Sequence, residues 1–273
     1  MPESSKNQTK IQLTFLGTGT SQGIPVIGSK HPVCLSADPR DKRLRVSVWI
    51  QIDDLSVVID CGPDFRQQML QSGCTVMDAL LFTHEHADHT AGLDDIRPFC
   101  FAQGPIPIYG QERVLQNLAE RFDYIFKEEN KYPGAPSIQA NTIRKNTQFK
   151  IKGHLINPIE VWHGNVPIFG FRIGNVAYLT DVKSIDLDQL TQLIGVDILV
   201  VNALREEEHH SHFTLQEALD FTKRVGAKQT FFTHISHHLG FHAEVSDYLP
   251  SGVHLAYDGL VISCDYVPLN TDF

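Results

Sequence analysis

Three histidines and an aspartate lie within six consecutive positions of the chain. They are His84, His86, Asp88 and His89, and they follow the apolar run 79–82. Imidazoles and a carboxylate this crowded would repel or stay unsatisfied without a cation, and together they suit zinc, manganese or iron. A thermolysin-type HExxH site is excluded, because Asp88 stands where that motif needs its second histidine. The segment therefore predicts a metal site.

The same segment favours two ions over one. Four ligands on one short loop cannot all reach a single tetrahedral ion and leave it open to substrate. His84 and His86, two residues apart, can face a first ion, while the aspartate and histidine that follow turn toward a second. Downstream, three ligand-type residues each follow a short apolar run typical of a buried strand: His163, Asp181 and His234. We expect them to meet the loop where strand ends converge.

This order of ligands, HxHxDH followed by a histidine, an aspartate and a last histidine, resembles the metallo-β-lactamase superfamily of metallohydrolases. The resemblance covers roughly residues 11–264, because 13–19 and 57–62 are similar to the opening strands of that fold. It implies an α/β, four-layer αββα sandwich, and it implies that Asp60 is a buried acid that orients the metal loop. The implied ligands are His84, His86 and His163 for one metal and Asp88, His89 and His234 for the other, with Asp181 bridging.

The opening glycine-rich segment, GTGTSQGIPVIG, narrows the resemblance. It does not match the dinucleotide-binding fingerprint, because its third glycine falls one residue late and no helical pattern follows. Together with DPRDKR, GPDFR and THISH further along, it is similar to the phosphoribosyl cyclic phosphodiesterase of the carbon–phosphorus lyase pathway. The coenzyme PQQ biosynthesis B protein shares part of this opening.

The phosphodiesterase family carries an additional structural zinc, held by three cysteines and a histidine. The matching positions here are Ser29, His31, Cys34 and His237, so two of the cysteines are missing. Serine is a poor zinc ligand. The resemblance therefore implies at best a degraded second zinc site formed by His31, Cys34 and His237.

Two adjacent divalent ions predict hydrolysis. A water that bridges them loses a proton near neutral pH and attacks as hydroxide, while the ions neutralise a phosphoryl or carbonyl oxygen. The alkoxide that leaves a phosphodiester also needs a proton donor. By resemblance to the phosphodiesterase and to the HxT element of tRNA-trailer endonucleases, His212 is that donor, with His209 and His210 as the fallbacks. Asp88 and His212 are thus the predicted catalytic residues, with Zn²⁺, Mn²⁺ or Fe²⁺ as the metal.

Two arginines are candidate phosphate contacts, because a guanidinium matches two phosphate oxygens. They are Arg66 and Arg205, and surface ion pairing explains them equally well.

The rest of the sequence predicts the elements that position this site. Strands are expected at 11–16, 46–52, 55–60, 78–82, 155–162, 167–173, 176–180, 197–201, 229–233 and 259–264. Helices are expected near 63–72, 90–101, 111–127, 185–194 and 214–225, the last opened by a capping-box pattern. This reads as a β-rich first half and an α/β second half. The segment 127–136 is either a loop that lids the site or an inert surface insertion.

Composition agrees with one globular domain over 1–273, with 1–10 as a polar N-terminal extension that lacks the apolar core of a signal peptide. Five scattered cysteines suit reduced thiols better than a disulfide framework, so we expect a cytoplasmic protein. No stretch predicts a membrane span. The net charge of −9 disfavours general nucleic-acid binding, yet bound metals would attract a small anionic substrate. A homodimer is compatible with the sequence.

Three alternatives stay open. The first is a thioester or lactone hydrolase on the same metals, for which a strong proton donor would be expendable. The second is a tRNA-trailer endonuclease, which would need a basic arm for RNA that the sequence does not show. The third is a non-catalytic, cofactor-handling protein like the PQQ relative.

Overall fold

A computed structural model describes residues 8–127 and 129–269. Over these residues the strands form two seven-stranded sheets. The first sheet has the spatial order β14 (Val261–Asp265), β1 (Lys10–Gly17), β2 (Ser47–Ile52), β3 (Leu55–Ile59), β4 (Ala79–Leu81), β5 (Ile106–Gly110) and β6 (Ile138–Thr142). The second has the order β13 (Val253–Leu255), β12 (Gln229–Thr233), β11 (Ile198–Asn202), β10 (Val176–Tyr178), β9 (Val166–Ile173), β8 (His154–His163) and β7 (Phe149–Ile151).

Both sheets combine an antiparallel part with a parallel part. In the first sheet β1, β2 and β3 pair antiparallel, whereas β3 to β6 run parallel. In the second, β7 to β10 pair antiparallel and β10 to β13 run parallel. Parallel neighbours end at the same edge of a sheet, so their following loops meet there. Those loops carry the predicted metal ligands.

Most of the helices cover the outer faces of the two sheets. In chain order they are α1 (Pro32–Leu35), α2 (Phe65–Ser72), α3 (Ala87–Thr90), α4 (Arg97–Gln103), α5 (Glu112–Arg121), α6 (Asp123–Phe126), α7 (Leu187–Thr191), α8 (Leu215–Val225) and α9 (His242–Tyr248). Short 3-10 turns lie at Pro39–Asp41, Leu93–Ile96 and His237–Leu239. In the described ranges, every helix is too short or too polar to cross a bilayer.

Three buried clusters separate the four layers. Phe15, Phe171 and Tyr178 belong to the cluster between the two sheets. Phe65 packs between the first sheet and its helices, and Phe221 between the second sheet and its own. Burying one face of a sheet against another and its other face against helices is the αββα arrangement. The predicted fold class is therefore confirmed.

The element predictions hold best where the pattern is longest. Helix α8 begins after Thr214, whose side chain accepts from the Glu217 backbone while the Glu217 carboxylate accepts from that of Thr214, so the predicted capping box is present. The predicted helix 90–101 is wrong as one unit. It breaks at Gly92, where a Cβ would lie 2.3 Å from the Gly62 carbonyl oxygen, and a new helix, α4, begins at Arg97.

Two further corrections concern the first half and its strands. The predicted helix 111–127 divides at Phe122, whose φ of −123° is not helical. The first half is not simply β-rich, because α2 to α6 cover its sheet. The strands β5, β6, β7 and β13 were not predicted, since they have three to five residues and weak alternation.

Candidate metal centre

The predicted ligands converge from four strand ends. The loop 84–89 follows β4, and His163 is the last residue of β8. Asp181 lies three residues beyond β10, and His234 directly follows β12. All seven side chains belong to groups whose ligand atoms lie within 4.8 Å of one another. The sheet edge predicted from the sequence is therefore where these residues meet.

Three side chains form the first pocket, which we define as His84, His86 and His163. His84 Nε2 lies 2.9 Å from His86 Nδ1. His163 Nδ1 donates to backbone carbonyl oxygens of Asp181 and Ser211, both at 3.0 Å. Because a carbonyl can only accept, the proton of His163 sits on Nδ1 and its Nε2 is free to bind a metal.

Four side chains form the second pocket, defined as Asp88, His89, Asp181 and His234. His89 Nε2 lies 3.3 Å from Asp88 Oδ2 and 3.5 Å from Asp181 Oδ2. His234 Nε2 lies 3.3 Å from Asp181 Oδ1. Two carboxylates and two imidazoles around one point are a donor set that suits a divalent cation.

Asp181 lies between the two pockets. One of its carboxylate oxygens, Oδ2, lies 3.9 Å from His84 Nε2 of the first pocket. The same oxygen lies 3.5 Å from His89 Nε2 of the second. A carboxylate that reaches both sets of imidazoles is placed to serve two ions at once.

Several nitrogen atoms in the second pocket are buried without a hydrogen-bond partner. Among the described residues, these are His89 Nε2 and both ring nitrogens of His234. Leaving a buried polar atom unpaired costs roughly 1–3 kcal/mol, so native proteins seldom do it without a reason. A coordinated cation supplies that reason, and the side chains present therefore fit a metal.

The surroundings of most predicted ligands favour the protonation state that binds a metal, which is neutral imidazole for histidine and ionised carboxylate for aspartate. Burial lowers the pKa of His84 and of His163, which keeps their imidazoles neutral. Burial alone would raise the pKa of Asp181, but His234 and His89 outweigh it and hold that pKa well below its usual value. For His89, burial is likewise outweighed, and Asp88, Asp181 and Asp60 raise its pKa. Three carboxylates around one imidazole thus create a site that attracts positive charge.

A buried acid supports the loop from beneath. Asp60 Oδ1 accepts from the Thr83 backbone at 2.9 Å, and Oδ2 accepts from the Thr83 hydroxyl at 2.8 Å and lies 2.7 Å from His89 Nδ1. This contact directs His89 Nε2 toward the second pocket. The sequence resemblance pointed to Asp60 but not to Thr83, although Thr83 directly precedes the motif. Thr83 Oγ1 also lies 3.0 Å from His84 Nδ1 and 3.5 Å from His89 Nδ1, so it contacts one histidine of each pocket.

Backbone strain marks the same strand ends. Asp60, Asp181 and His234 have positive φ angles of 64°, 59° and 54°. A residue with a Cβ pays of the order of 1–3 kcal/mol to sit in this region, and such residues concentrate at functional sites. At each of these positions the chain turns so that the side chain reaches either the centre, as for Asp181 and His234, or the loop that carries its ligands, as for Asp60.

Of the three candidate proton donors, His209, His210 and His212, the last lies deepest in the metal centre. Its Nε2 lies 3.2 Å from Asp181 Oδ2, and its ring stacks on that of His234 with centroids 4.9 Å apart. His209 touches it from outside, with 3.1 Å between the two Nδ1 atoms, whereas His210 is exposed. Burial lowers the pKa of His212 to about 4. Ligand atoms of His163, Asp181 and His212 also lie within 4.8 Å of one another. His212 is therefore placed to act either as a metal ligand or as a proton donor.

The predicted second zinc site is only partly assembled. The rings of His31 and His237 are in contact, with centroids 4.9 Å apart, and His238 joins them at 5.5 Å from His31. Cys34 Sγ instead accepts from the Val26 backbone at 3.5 Å, and in the described structure the three predicted ligand atoms do not come within 4.8 Å of one another. The site remains a prediction.

The other candidates lie outside the centre. Arg205 donates to the carbonyl oxygens of Glu207 and Glu208 and so stabilises the loop before the histidines, while Arg66 is exposed on α2. In the segment 127–136, Glu128 lies outside the described residues, and Tyr132 contacts the Arg97 guanidinium. Its predicted function as a lid stays a prediction.

Comparisons with known proteins identify the family and the fold. Residues 56–235 match the family model of the beta-lactamase superfamily domain. The crystal structure of a diphosphatase from the PhnP family is similar, with 40% identity, a TM-score of 0.88, and coverage of 94% of this chain and 98% of that one. Zinc-bound PqqB from Methylobacterium extorquens has the same fold, at 17% identity, a TM-score of 0.78, and coverage of 92% and 99%.

Among curated proteins, an octanoyltransferase of Porphyromonas gingivalis is 39% identical over 248 residues, which are 90% of this chain and 50% of that protein. The chain spans about half the length of the first curated relatives that it matches.

Proposed function

The chain belongs to the metallo-β-lactamase superfamily, and from this premise we propose that it is a metal-dependent hydrolase of a small cyclic or nucleotide-like phosphodiester, with a site that would hold two divalent ions. One observation carries the proposal. Asp181 joins a three-histidine pocket to a mixed carboxylate and imidazole pocket, and His212 contacts that same carboxylate at 3.2 Å. A shared carboxylate with a proton-bearing group beside it is what a phosphodiester with a basic leaving group requires.

In this proposal His84, His86 and His163 would hold one ion and Asp88, His89 and His234 the other, and Asp181 would serve both. When bound, such a pair supplies a water acidic enough to act as a nucleophile at neutral pH, and neutralises charge on the phosphoryl oxygens. Zn²⁺ and Mn²⁺ suit the donors best, and Fe²⁺ is accepted by the same set.

The chain's own residues do the rest of the work. Asp60, through Thr83 and His89, fixes the orientation of the loop. Asp88, a carboxylate with 13% of its side chain exposed, holds and orients the attacking water. A phosphodiester bound beside His212 adds negative charge, which raises the pKa of an imidazole whose pKa burial lowers in the unliganded protein. The protonated His212, positioned by Asp181, then donates its Nε2 proton to the departing alkoxide oxygen.

A diphosphate is the second candidate substrate. The similar PhnP-family structure is that of a diphosphatase. The two reactions share in-line attack at phosphorus, but they differ in the leaving group. Phosphate is a much weaker base than a sugar alkoxide, so a diphosphate would depend less on His212.

A thioester is the third candidate, because the P. gingivalis relative is named for transfer of an octanoyl group. This chain matches only 50% of that protein, so the acyl chemistry can belong to the other half. A thiolate leaves without a strong acid, so this reading predicts that His212 is dispensable.

One comparative assay separates the candidates. Metal-loaded and chelator-treated protein would each be incubated with bis(p-nitrophenyl) phosphate, a ribosyl cyclic phosphodiester, a dinucleoside diphosphate and an acyl thioester. Turnover of the phosphodiesters above free metal, lost on chelation, supports the proposal. Faster hydrolysis of the diphosphate or of the thioester would make that compound class the substrate instead. No hydrolysis of any of the four compounds favours a non-catalytic cofactor-handling protein.

The proposal includes a cytoplasmic location, a small anionic substrate and neither general nucleic-acid nor membrane binding. A net charge of −9 leaves the metal cleft as the place where an anion is attracted. A homodimer is compatible with it.

A further inference from the structure

One face of helix α5 lies along the metal loop. Arg113, Asn117 and Arg121 are spaced four residues apart, so they share one side of the helix. An adjoining side of the helix buries three apolar residues in the first half's core: Val114, Leu115 and Leu118. The buried side fixes the helix against the first sheet, and its arginines are thereby held over residues 84–90.

Arg121 connects helix α5 to the metal loop only. Its guanidinium donates to the Glu85 carbonyl oxygen and to Thr90 Oγ1, both at 2.9 Å. The Thr90 hydroxyl in turn donates to the His86 carbonyl oxygen at 2.8 Å. Every one of these acceptors belongs to the loop segment itself, which carries ligands of both pockets.

Arg113 instead contacts two segments that come from different sheets. Its Nη1 donates to Glu85 Oε1 at 2.5 Å, and its Nη2 donates to the Pro167 carbonyl oxygen at 2.5 Å. Pro167 pairs with Trp162 across the β8–β9 hairpin, next to His163. One guanidinium thus joins the loop of His84 and His86 to the hairpin that carries the remaining ligand of the first pocket.

The first pocket needs such a connection more than the second. Its three ligands come from only two segments, and metal–ligand distances tolerate errors of only about 0.2 Å. One backbone hydrogen bond, from Phe169 N to the Thr83 carbonyl oxygen at 3.0 Å, joins the same two segments. A second link through Arg113 restrains rotation about the first. A lysine cannot replace it, because it lacks the rigid fork that reaches two acceptors.

We propose that Arg113 is a positioning residue for the first pocket and acts through Glu85 and the Pro167 carbonyl. The inference rests on the metal assignment in the proposed function. The side chains of Arg113 and Glu85 are 34% and 25% exposed, so solvent screens the pair and its effect should be moderate.

Zinc titration of the metal-free protein against a chromophoric chelator tests this. The His163→Ala variant first shows which of the two dissociation constants belongs to the first pocket. Arg113→Ala should then weaken that constant about tenfold, as losses of supporting contacts around a metal typically do, and change the other less than threefold. Arg113→Lys and Glu85→Gln should weaken the same constant by a similar factor. Glu85→Gln replaces Arg113→Ala in the test if the alanine variant does not fold.

Arg121→Ala is the matched control from the same helix face. Because its contacts stay within the loop, it should weaken both constants alike. The proposal is overturned if Arg113→Ala leaves both constants unchanged, or if it weakens both equally as Arg121→Ala does. These titrations use no substrate, so they test this inference separately from the proposed function. If Arg113→Ala weakens zinc binding at the first pocket only, but the protein hydrolyses no phosphodiester, the proposed function is refuted and this inference stands.

Discussion

Two regions of the molecule offer histidines and other metal-ligating side chains, and they differ in how those side chains are held. We call them the strand-end cluster, made of the first and second pockets, and the loop cluster, made of His31, Cys34 and His237. Within each pocket of the strand-end cluster the ligand atoms lie within 4.8 Å of one another. In the loop cluster two rings touch, but Cys34 Sγ accepts from the Val26 backbone instead of facing them.

The two clusters differ in the contacts that hold their histidine rings. In the strand-end cluster, Asp60 holds His89 Nδ1 and backbone carbonyls hold His163 Nδ1, so each Nε2 faces the centre. In the loop cluster, His31 Nδ1 accepts from the Val33 backbone as the cap of the short helix α1. Ligand-type residues thus make a site only where supporting contacts orient them.

The largest effect should follow from removing the shared carboxylate. Asp181→Ala should release more metal than His234→Ala, because Asp181 contacts histidines of both pockets while His234 contacts only the second. Loss of bound metal removes several kcal/mol of transition-state stabilisation, so activity should fall on the order of 10³-fold or more. Elemental analysis of both variants checks this. Two ions per chain retained in Asp181→Ala would refute the bridging assignment.

The next effect concerns the leaving group. A sugar alkoxide is a strong base and gains about 10²- to 10⁴-fold from a general acid, whereas p-nitrophenolate is stable without one. His212→Ala should therefore slow hydrolysis of a ribosyl cyclic phosphodiester by about two orders of magnitude while sparing bis(p-nitrophenyl) phosphate. Metal content should stay constant.

The same pair of assays applies to His209→Ala and His210→Ala as controls. Equal losses on both substrates, or a lost ion, would place His212 among the ligands, as its grouping with His163 and Asp181 also permits.

Loss of the supporting acid should have an intermediate effect. Asp60→Asn keeps the shape of the side chain but weakens its contact with His89 and Thr83. Metal affinity should fall roughly 10- to 100-fold, as is typical when such a partner is removed. Chelator competition measures this, and Asp220→Asn on α8, with 57% of its side chain exposed, offers a surface comparison. Unchanged affinity would mean that the strand-end cluster does not depend on its support.

The smallest effect is expected in the loop cluster. Cys34→Ala should leave metal content and melting temperature nearly unchanged, because Cys34 is not oriented toward His31 and His237. Loss of one tightly bound zinc per chain together with a lower melting temperature would show that the loop cluster is a second metal site in altered form. The two clusters would then not differ in their ability to bind metal.

Much of the fold and of the site could be predicted from the sequence, for a physical reason. The ligands follow apolar runs such as 79–82 and 229–233, and parallel strands must end at a common edge, so convergence follows from pattern alone. The break of the predicted helix at Gly92 could not be foreseen, because it depends on the close approach of the Gly62 carbonyl from another segment.

Contacts that depend on distant segments were also missed. Arg113 looks like an ordinary exposed charge on an amphipathic helix, and only the folded chain brings Glu85 and Pro167 to its guanidinium. The same holds for choosing among His209, His210 and His212. Spacing leaves them nearly equivalent, and burial against Asp181 separates them.

The central claim is that two ions act together in the strand-end cluster, and metal titration of activity tests it most directly. Metal-free protein would receive Mn²⁺ or Zn²⁺ in steps, with bound ions counted and hydrolysis of bis(p-nitrophenyl) phosphate measured at each step. The account predicts that hydrolysis rises to a plateau at two bound ions per chain, with little activity at one. A plateau at one ion, or two bound ions without hydrolysis, would contradict it.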